Sequence, residues 1–434
     1  MQRRCMLTQL KILLTWPLLV IIPALLPAQT FSGRVTSAFY GYERSDTVNV
    51  TSTHARGYQA FQFDYGNENI AFHTFGQLDN DFSTRLAGDG KVRMYNFHLA
   101  IKNITQRAEV KLGRQPVFAG AGVGTVDGAQ IKLRAAKWLR LKAFGGGLLP
   151  ADQRFQVIDD FKKNYMAGGQ AVIEPNPDWK IGLSYFNRQQ LRSGYYARCA
   201  DSIGNVFTLF VEPTNRSYEF TSLDASWNVK RTSFYGRSDY DVNGEQLSRA
   251  ELSVRSDVST NLVLNGSYTF RSPRLPWNSI FSAFDVENNH EVEGGVYYRY
   301  KPTLRFYGNA AGIFYSDDES FRFTLGTECN YGALSLVNRS GYAGSLNGVN
   351  ASLYYPLQQG TIMPTAQLSW ASYKLDGNAS SRESLFSGAA GLLVRPWNIL
   401  TIDSQLQYLH NRFYSSDTRF LLRLQYWFFK KTGA

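Results

Sequence analysis

From Phe31 to the end of the chain, apolar and polar positions change places residue by residue. They do so in segments of about ten residues separated by turn-forming residues, and no segment carries the 3.6-residue period of an amphipathic helix. The last segment, Asp417 to Phe429, shows the pattern best. Phe420, Leu422, Leu424, Tyr426 and Phe428 share one face. Arg419, Leu421, Arg423, Gln425 and Trp427 share the other, because strand side chains alternate sides. Aromatics gather at its end, and Lys430 and Lys431 follow.

The breaks between segments come in two alternating kinds. Short ones fall at Gly66-Asn67, Lys102-Asn103, Ala136-Lys137, Pro175 to Asp178, Lys230-Arg231, Asp257 to Thr260, Lys301-Pro302, Tyr331-Gly332, Pro356 to Gly360 and Pro396 to Asn398. The mostly longer ones fall at 43–53, 78–90, 114–126, 147–163, 190–216, 241–246, 271–289, 316–319, 339–343, 374–382 and 411–417. Outer-membrane barrels have short periplasmic turns and longer outside loops, and a soluble sandwich gives no reason for this alternation. The pattern predicts an all-β fold: a single transmembrane, antiparallel, up-and-down β-barrel of about 22 strands, with both termini on the short-turn side. One missed or false hairpin shifts the count by two, so the range is 18–22.

Composition agrees. Aromatics make up 15% of the 434 residues and charged residues 19%; the 26 Tyr and 29 Phe suit interfacial girdles. Beyond residue 30 no apolar run approaches the ~18 residues of a membrane helix. Residues 1–28 read as an export signal: Arg3, Arg4 and Lys11 are basic, Leu13 to Leu26 is apolar, and Leu26-Pro27-Ala28 suits cleavage. The barrel is then residues 29–434, with strand one starting at Phe31 and no plug domain before it. Cys5 precedes the apolar stretch, so it is not a lipoprotein cysteine. Cys199 and Cys329 are expected on opposite sides of the bilayer as free thiols. The formal charge of +11 includes Arg3, Arg4 and Lys11, leaving about +8 on the exported chain. That charge is diffuse, and no nucleic-acid motif accompanies it.

Strands five to seven carry the candidate chemistry. Ala108, Val110, Leu112, Ile131, Leu133, Leu139, Leu141 and Ala143 fall on the lipid side. Arg107, Glu109, Lys111, Gln130, Lys132, Arg134, Arg140 and Lys142 fall on the lumen side. Six cations and one carboxylate on one patch suit an anion-attracting wall. The other reading pairs the same cations with acids on other strands or loops, Glu251, Glu291 and Glu293 among them. The histidines at 54, 73, 98, 290 and 410 show no ligand spacing, so no metal or cofactor is expected. His98 lies inside a strand, but no nucleophile can be assigned to it, so no catalytic residue and no enzyme are expected. Val206 to Val211 is apolar enough to fold over the lumen. Trp277, Ile280, Phe281 and Phe284 could stack on a sugar or an apolar ligand.

Two stretches resemble those of known proteins. The last strand resembles the C-terminal strand of outer-membrane β-barrels, whose terminal aromatic is read by the barrel-assembly machinery; here KKTGA follows Phe429. Gly113-Arg114-Gln115 and Asp127-Gly128 resemble the pattern flanking the third loop of many bacterial porins. That resemblance implies a diffusion pore narrowed by residues 113–128, folded inward as a constriction loop, with Arg114 near the constriction. The glycines there lack the spacing and following helix of a phosphate-binding loop.

The function expected is a porin-like outer-membrane channel for passive diffusion of small solutes and ions, with an anion preference. Its pore-lining candidates are Arg107, Lys111, Arg114, Lys132, Arg134, Arg140 and Lys142. Its partners would be outer-membrane lipid and the assembly machinery; oligomerisation stays open and no nucleic acid is expected. The alternative is a non-conducting barrel serving adhesion, assembly or secretion through its loops. A secreted all-β domain that needs no detergent is the third reading.

Overall fold

The computed structural model describes residues 30–431 apart from 48–49, 84–89, 157, 159, 192–193, 201–203, 213–216, 274–286, 343, 375–380 and 413–415. The first strands are β1 (Thr30–Thr47), β2 (Val50–Gly66), β3 (Ile70–Asp81), β4 (Val92–Ile104), β5 (Ala108–Ala119), β6 (Gly122–Ala136), β7 (Leu139–Leu148), β8 (Tyr165–Ile173) and β9 (Trp179–Gln189). A separate hairpin follows, β10 (Tyr195–Ala200) with β11 (Val206–Val211). Then come β12 (Tyr218–Val229), β13 (Thr232–Asp241), β14 (Gln246–Asp257), β15 (Leu262–Arg271), β16 (Asn289–Lys301), β17 (Leu304–Phe314) and β18 (Glu319–Cys329). The last are β19 (Gly332–Gly341), β20 (Ser345–Tyr354), β21 (Ile362–Lys374), β22 (Glu383–Trp397), β23 (Leu400–His410) and β24 (Asp417–Lys431).

Every strand except β10 and β11 belongs to one 22-stranded antiparallel sheet, and β1 pairs with β24 from Thr30–Lys431 to Gly41–Phe420. The sheet is therefore a closed barrel with no free edge. Its outer face is apolar: Leu183, Leu223, Leu252, Leu325 and Leu353 all stand more than half exposed, which only a lipid surrounding makes favourable. The expected faces of β24 hold. Leu422 and Leu424 line an outer groove, while Arg423 pairs with Asp403 at 2.5 Å and Arg34 stacks over Trp427 on the lumen side.

Those faces set unequal costs for substitution. Leu422→Arg places a cation in hydrocarbon and should cost about 2–4 kcal/mol. Arg423→Leu should cost about 0–1 kcal/mol, as for ion pairs open to water. Urea unfolding of the two variants in detergent checks this; equal midpoints would reverse the face assignment.

Several expected breaks are corrected. The segment 43–53 is not a loop, because β1 and β2 run on to Thr47 and Val50. The turn placed at Lys102-Asn103 lies at 105–107. The connections at 242–245 and 315–318, expected among the longer breaks, are as tight as those of the short-turn end, so the asymmetry of loop length is confined to part of the rim. Val206 to Val211 forms the second strand of the β10–β11 hairpin, with Val206, Phe207, Leu209 and Phe210 exposed. Trp277, Ile280, Phe281 and Phe284 lie outside the described residues, as does the segment 1–28 read as an export signal. Cys199 and Cys329 are both free thiols.

Candidate pore and its infolded hairpin

The largest correction concerns 113–128, expected as an irregular loop. It is a regular β-hairpin in which Ala108–Leu133 through Ala119–Gly122 pair without a break, turning at Gly120-Ala121. Its lower part belongs to the wall. β4 pairs with β5 only as far as Phe97–Arg114, and β6 pairs with β7 as far as Val126–Leu148. Above those rungs the hairpin has no wall partner and leans inward.

The inward direction is fixed by what the tip touches. Ser184 on β9 is buried while its neighbours Leu183 and Tyr185 face out, and the Ala121 backbone N–H donates to the Ser184 hydroxyl at 2.9 Å. Val117, Ala119 and Val126 of the hairpin pack with Phe144, Leu148, Met166, Phe186 and Phe220 from the inner faces of β7, β8, β9 and β12. This is the hydrophobic core of the described residues, and it sits inside the barrel. Fully burying one such valine or methionine contributes about 1.5–3 kcal/mol, so the cluster is ample to hold the hairpin down in a wet lumen.

The GRQ…DG residues form the hinge. Gly113 has φ +117, and a Cβ there would lie 2.4 Å from the Phe97 carbonyl oxygen, so no side chain fits the bend. Gly128 leaves equally little room, with the Gly145 carbonyl oxygen 2.1 Å from a Cβ position. Arg114 binds Asp127 in bidentate fashion, Nε to Oδ1 and Nη2 to Oδ2, both at 2.7 Å. Its remaining donors go to the carbonyls of Met94 (2.9 Å), Gln153 (3.2 Å), Arg154 (2.9 Å) and Gln156 (3.2 Å). The segment after β7 also fills the wall position that β5 vacates: Arg93 bridges to Arg154, and the Met94 N–H donates to the Gln153 carbonyl at 2.9 Å. Arg114 thus ties the hairpin base, the β4 edge and this patching segment together. It is 4% exposed, so its guanidinium is spent on structure beside the lumen.

The other predicted cations separate into three groups. Lys111, Lys132 and Lys142 cluster around Glu109, with Lys132–Glu109 at 3.3 Å and Lys111–Glu109 at 3.6 Å, and the four act on one another electrostatically. Lys142 also donates to the Phe118 carbonyl, which places the cluster just under the hairpin on its short-turn side. Arg140 pairs with Glu174. Arg107 and Arg134 stand exposed at the short-turn end of the barrel. The acids proposed as cross-lumen partners are taken elsewhere: Glu251 by Arg249, and Glu291 and Glu293 by Arg322 at 2.9 and 2.7 Å. Asp79, Asp239, Asp403 and Asp417 are likewise held by Arg93, Arg237, Arg423 and Arg419. Three lysines around one carboxylate leave an excess of positive charge beneath the hairpin.

Sequence reasoning missed the exposed apolar side of the hairpin, where Phe118 and Val123 are 65% and 57% exposed. It also missed the His73–His98 ring stack at 4.9 Å, beside the Gly113 bend.

No family model matches the chain, and no curated protein matches it. Solved structures do. The P pilus usher PapC translocation pore aligns over 93% of this chain and 100% of its own, with 10% identity and a TM-score of 0.44. OpdO of Pseudomonas aeruginosa aligns over 92% and 97%, with 9% identity and a TM-score of 0.42. OccAB3 of Acinetobacter baumannii aligns over 92% and 99%, with 8% identity and a TM-score of 0.37. The closed 22-stranded sheet, apolar outside and charged within, is the fold of an outer-membrane-type β-barrel.

Proposed function

We propose that the protein is an outer-membrane channel through which small solutes diffuse, with the β5–β6 hairpin as its constriction and a preference for anions. The observation that carries the preference is the lysine excess under the hairpin: Lys111, Lys132 and Lys142 against Glu109, while Asp79, Asp239, Glu251, Glu291, Glu293, Asp403 and Asp417 are matched by arginines. A low-dielectric wall focuses that field on a passing ion. Arg107 and Arg134 at the short-turn mouth extend the positive potential, and Arg140 adds little because Glu174 balances it. Arg114 acts on the path by holding the hairpin in place. In this reading the short turns are periplasmic, lipid covers the outer face, and β24 is the strand presented to the assembly machinery.

Reversal potential across a planar bilayer with a salt gradient tests the preference. The wild type should be anion-selective. Lys111→Gln, Lys132→Gln and Lys142→Gln together should move it toward neutral, since Glu109 then faces only the arginines of the short-turn mouth. The wild-type preference should shrink as salt rises from 0.1 to 1 M, where the Debye length falls from about 10 to about 3 Å. A cation-selective wild type would refute the assignment.

The interaction-barrel reading draws on one feature, the β10–β11 hairpin with Tyr196, Val206, Leu209 and Phe210 exposed at the rim. A barrel that folds and does not conduct would favour it.

A further inference from the structure

The outer face of the barrel carries a groove of about 580 Å³ across β12 to β15. Its floor is Gly236 and Gly266, and Leu252 and Val254 form one wall. At the short-turn end three rings stack face to face: Trp179 on Trp227 at 5.0 Å, and Trp227 on Phe234 at 5.4 Å. All three stand more than a third exposed on the lipid side. The β12–β13 turn that joins Trp227 and Phe234 is Lys230-Arg231, and both residues are exposed. Among the acids of the adjoining turns, Glu174 is engaged by Arg140 and Asp257 by Arg255, the latter at 3.8 Å, which leaves Asp178 to set against the two cations.

We propose that this groove binds an anionic phospholipid of the periplasmic leaflet. Its phosphate would sit at Lys230 and Arg231, its glycerol region at the tryptophan stack, and one acyl chain along Gly236 and Gly266. The dimensions and the polarity run the same way. Aromatics mark the headgroup level, the cations lie just beyond them, and the trough leads from there toward the bilayer centre. An acyl chain suits a floor without side chains, where hydrocarbon packs against backbone. The assignment to this leaflet rests on the outer-membrane orientation proposed above, and it is independent of whether the lumen conducts.

Native mass spectrometry of the full chain, released from detergent with dioleoylphosphatidylglycerol or dioleoylphosphatidylcholine, tests the site. The wild type should retain phosphatidylglycerol in preference to phosphatidylcholine. Lys230→Gln with Arg231→Gln should weaken phosphatidylglycerol retention by about thirtyfold and leave phosphatidylcholine unchanged, as expected for two cations beside an anionic headgroup. Gly266→Leu fills the trough and should lower retention of both lipids. A gel-mobility shift on heating verifies that each variant is folded, and the double variant alone decides if Gly266→Leu is not. Equal retention of the two lipids by the wild type would overturn the proposal. So would phosphatidylglycerol retention by the double variant at the wild-type level, or a dimer that Gly266→Leu abolishes.

Discussion

Arg114→Ala should be the most damaging single substitution in the lumen, costing about 3–5 kcal/mol, the range for removing one partner of a buried ion pair. The Arg114 side chain is 3% exposed and that of Asp127 12%, so the carboxylate cannot recover its lost hydrogen bonds from water. Four backbone carbonyls lose a donor at the same time. The loss should fall on the hinge first. The segment around Gln153 to Gln156 should detach from the β4 edge, and the hairpin base should loosen while the rest of the barrel stays closed. Hydrogen exchange would show this as faster exchange at Met94 and across 115–126, with the strands from β14 to β22 unchanged. Asp127→Ala added to Arg114→Ala should recover part of the stability, because no unpaired charge then remains. A double variant less stable than the single one would show that Arg114 acts chiefly through the carbonyls.

Removing the hairpin tip should have the largest effect on transport. Deleting 116–125 and joining Gln115 to Val126 through two glycines takes away Val117, Ala119 and the contact with Ser184, yet keeps the Arg114–Asp127 rung and all 22 strands. Single-channel conductance should rise by about twofold or more, since the narrowest section controls flow. Selectivity should fall as well, because ions would pass farther from Lys111, Lys132 and Lys142. Conductance equal to the wild type would mean that the hairpin lies beside the path and that the constriction is elsewhere.

The strand count was legible because it rests on two independent local signals. Alternation fixes each strand, and residues such as Lys230-Arg231 and Pro175 to Asp178 fix the turns. The hairpin was not legible, because five glycines in sixteen residues read as a loop. Here they serve a second layer of sheet instead. A Cβ at Gly122 would fall 3.0 Å from Phe144 and 3.1 Å from Phe186, so the space beside the glycine is taken by aromatic rings from the wall. One signal was nevertheless present. Arg114 and Asp127 are equidistant from Gly120-Ala121, so any hairpin turning there pairs them. The partners of Arg114 on 153–156 have no such signature, since they come from a segment that fills a gap in the wall. Alternation alone puts Lys111, Lys132 and Glu109 within reach of one another; Glu109, on the same strands, decides the net charge of the cluster, whereas Glu291 and Glu293 are claimed by Arg322.

The central claim is that solutes pass through this lumen and over the exposed side of the hairpin. Phe118 is 65% exposed there, and Cys199 and Cys329 can be replaced by serine because both are free thiols. In that background, prepared as residues 29–434 so that Cys5 is absent too, Phe118→Cys should conduct in planar bilayers, and a bulky cationic methanethiosulfonate reagent should then cut the current of each channel, while the cysteine-free parent is unaffected. A barrel that conducts nothing, or a Phe118→Cys channel whose current is unchanged after complete modification, would contradict the account.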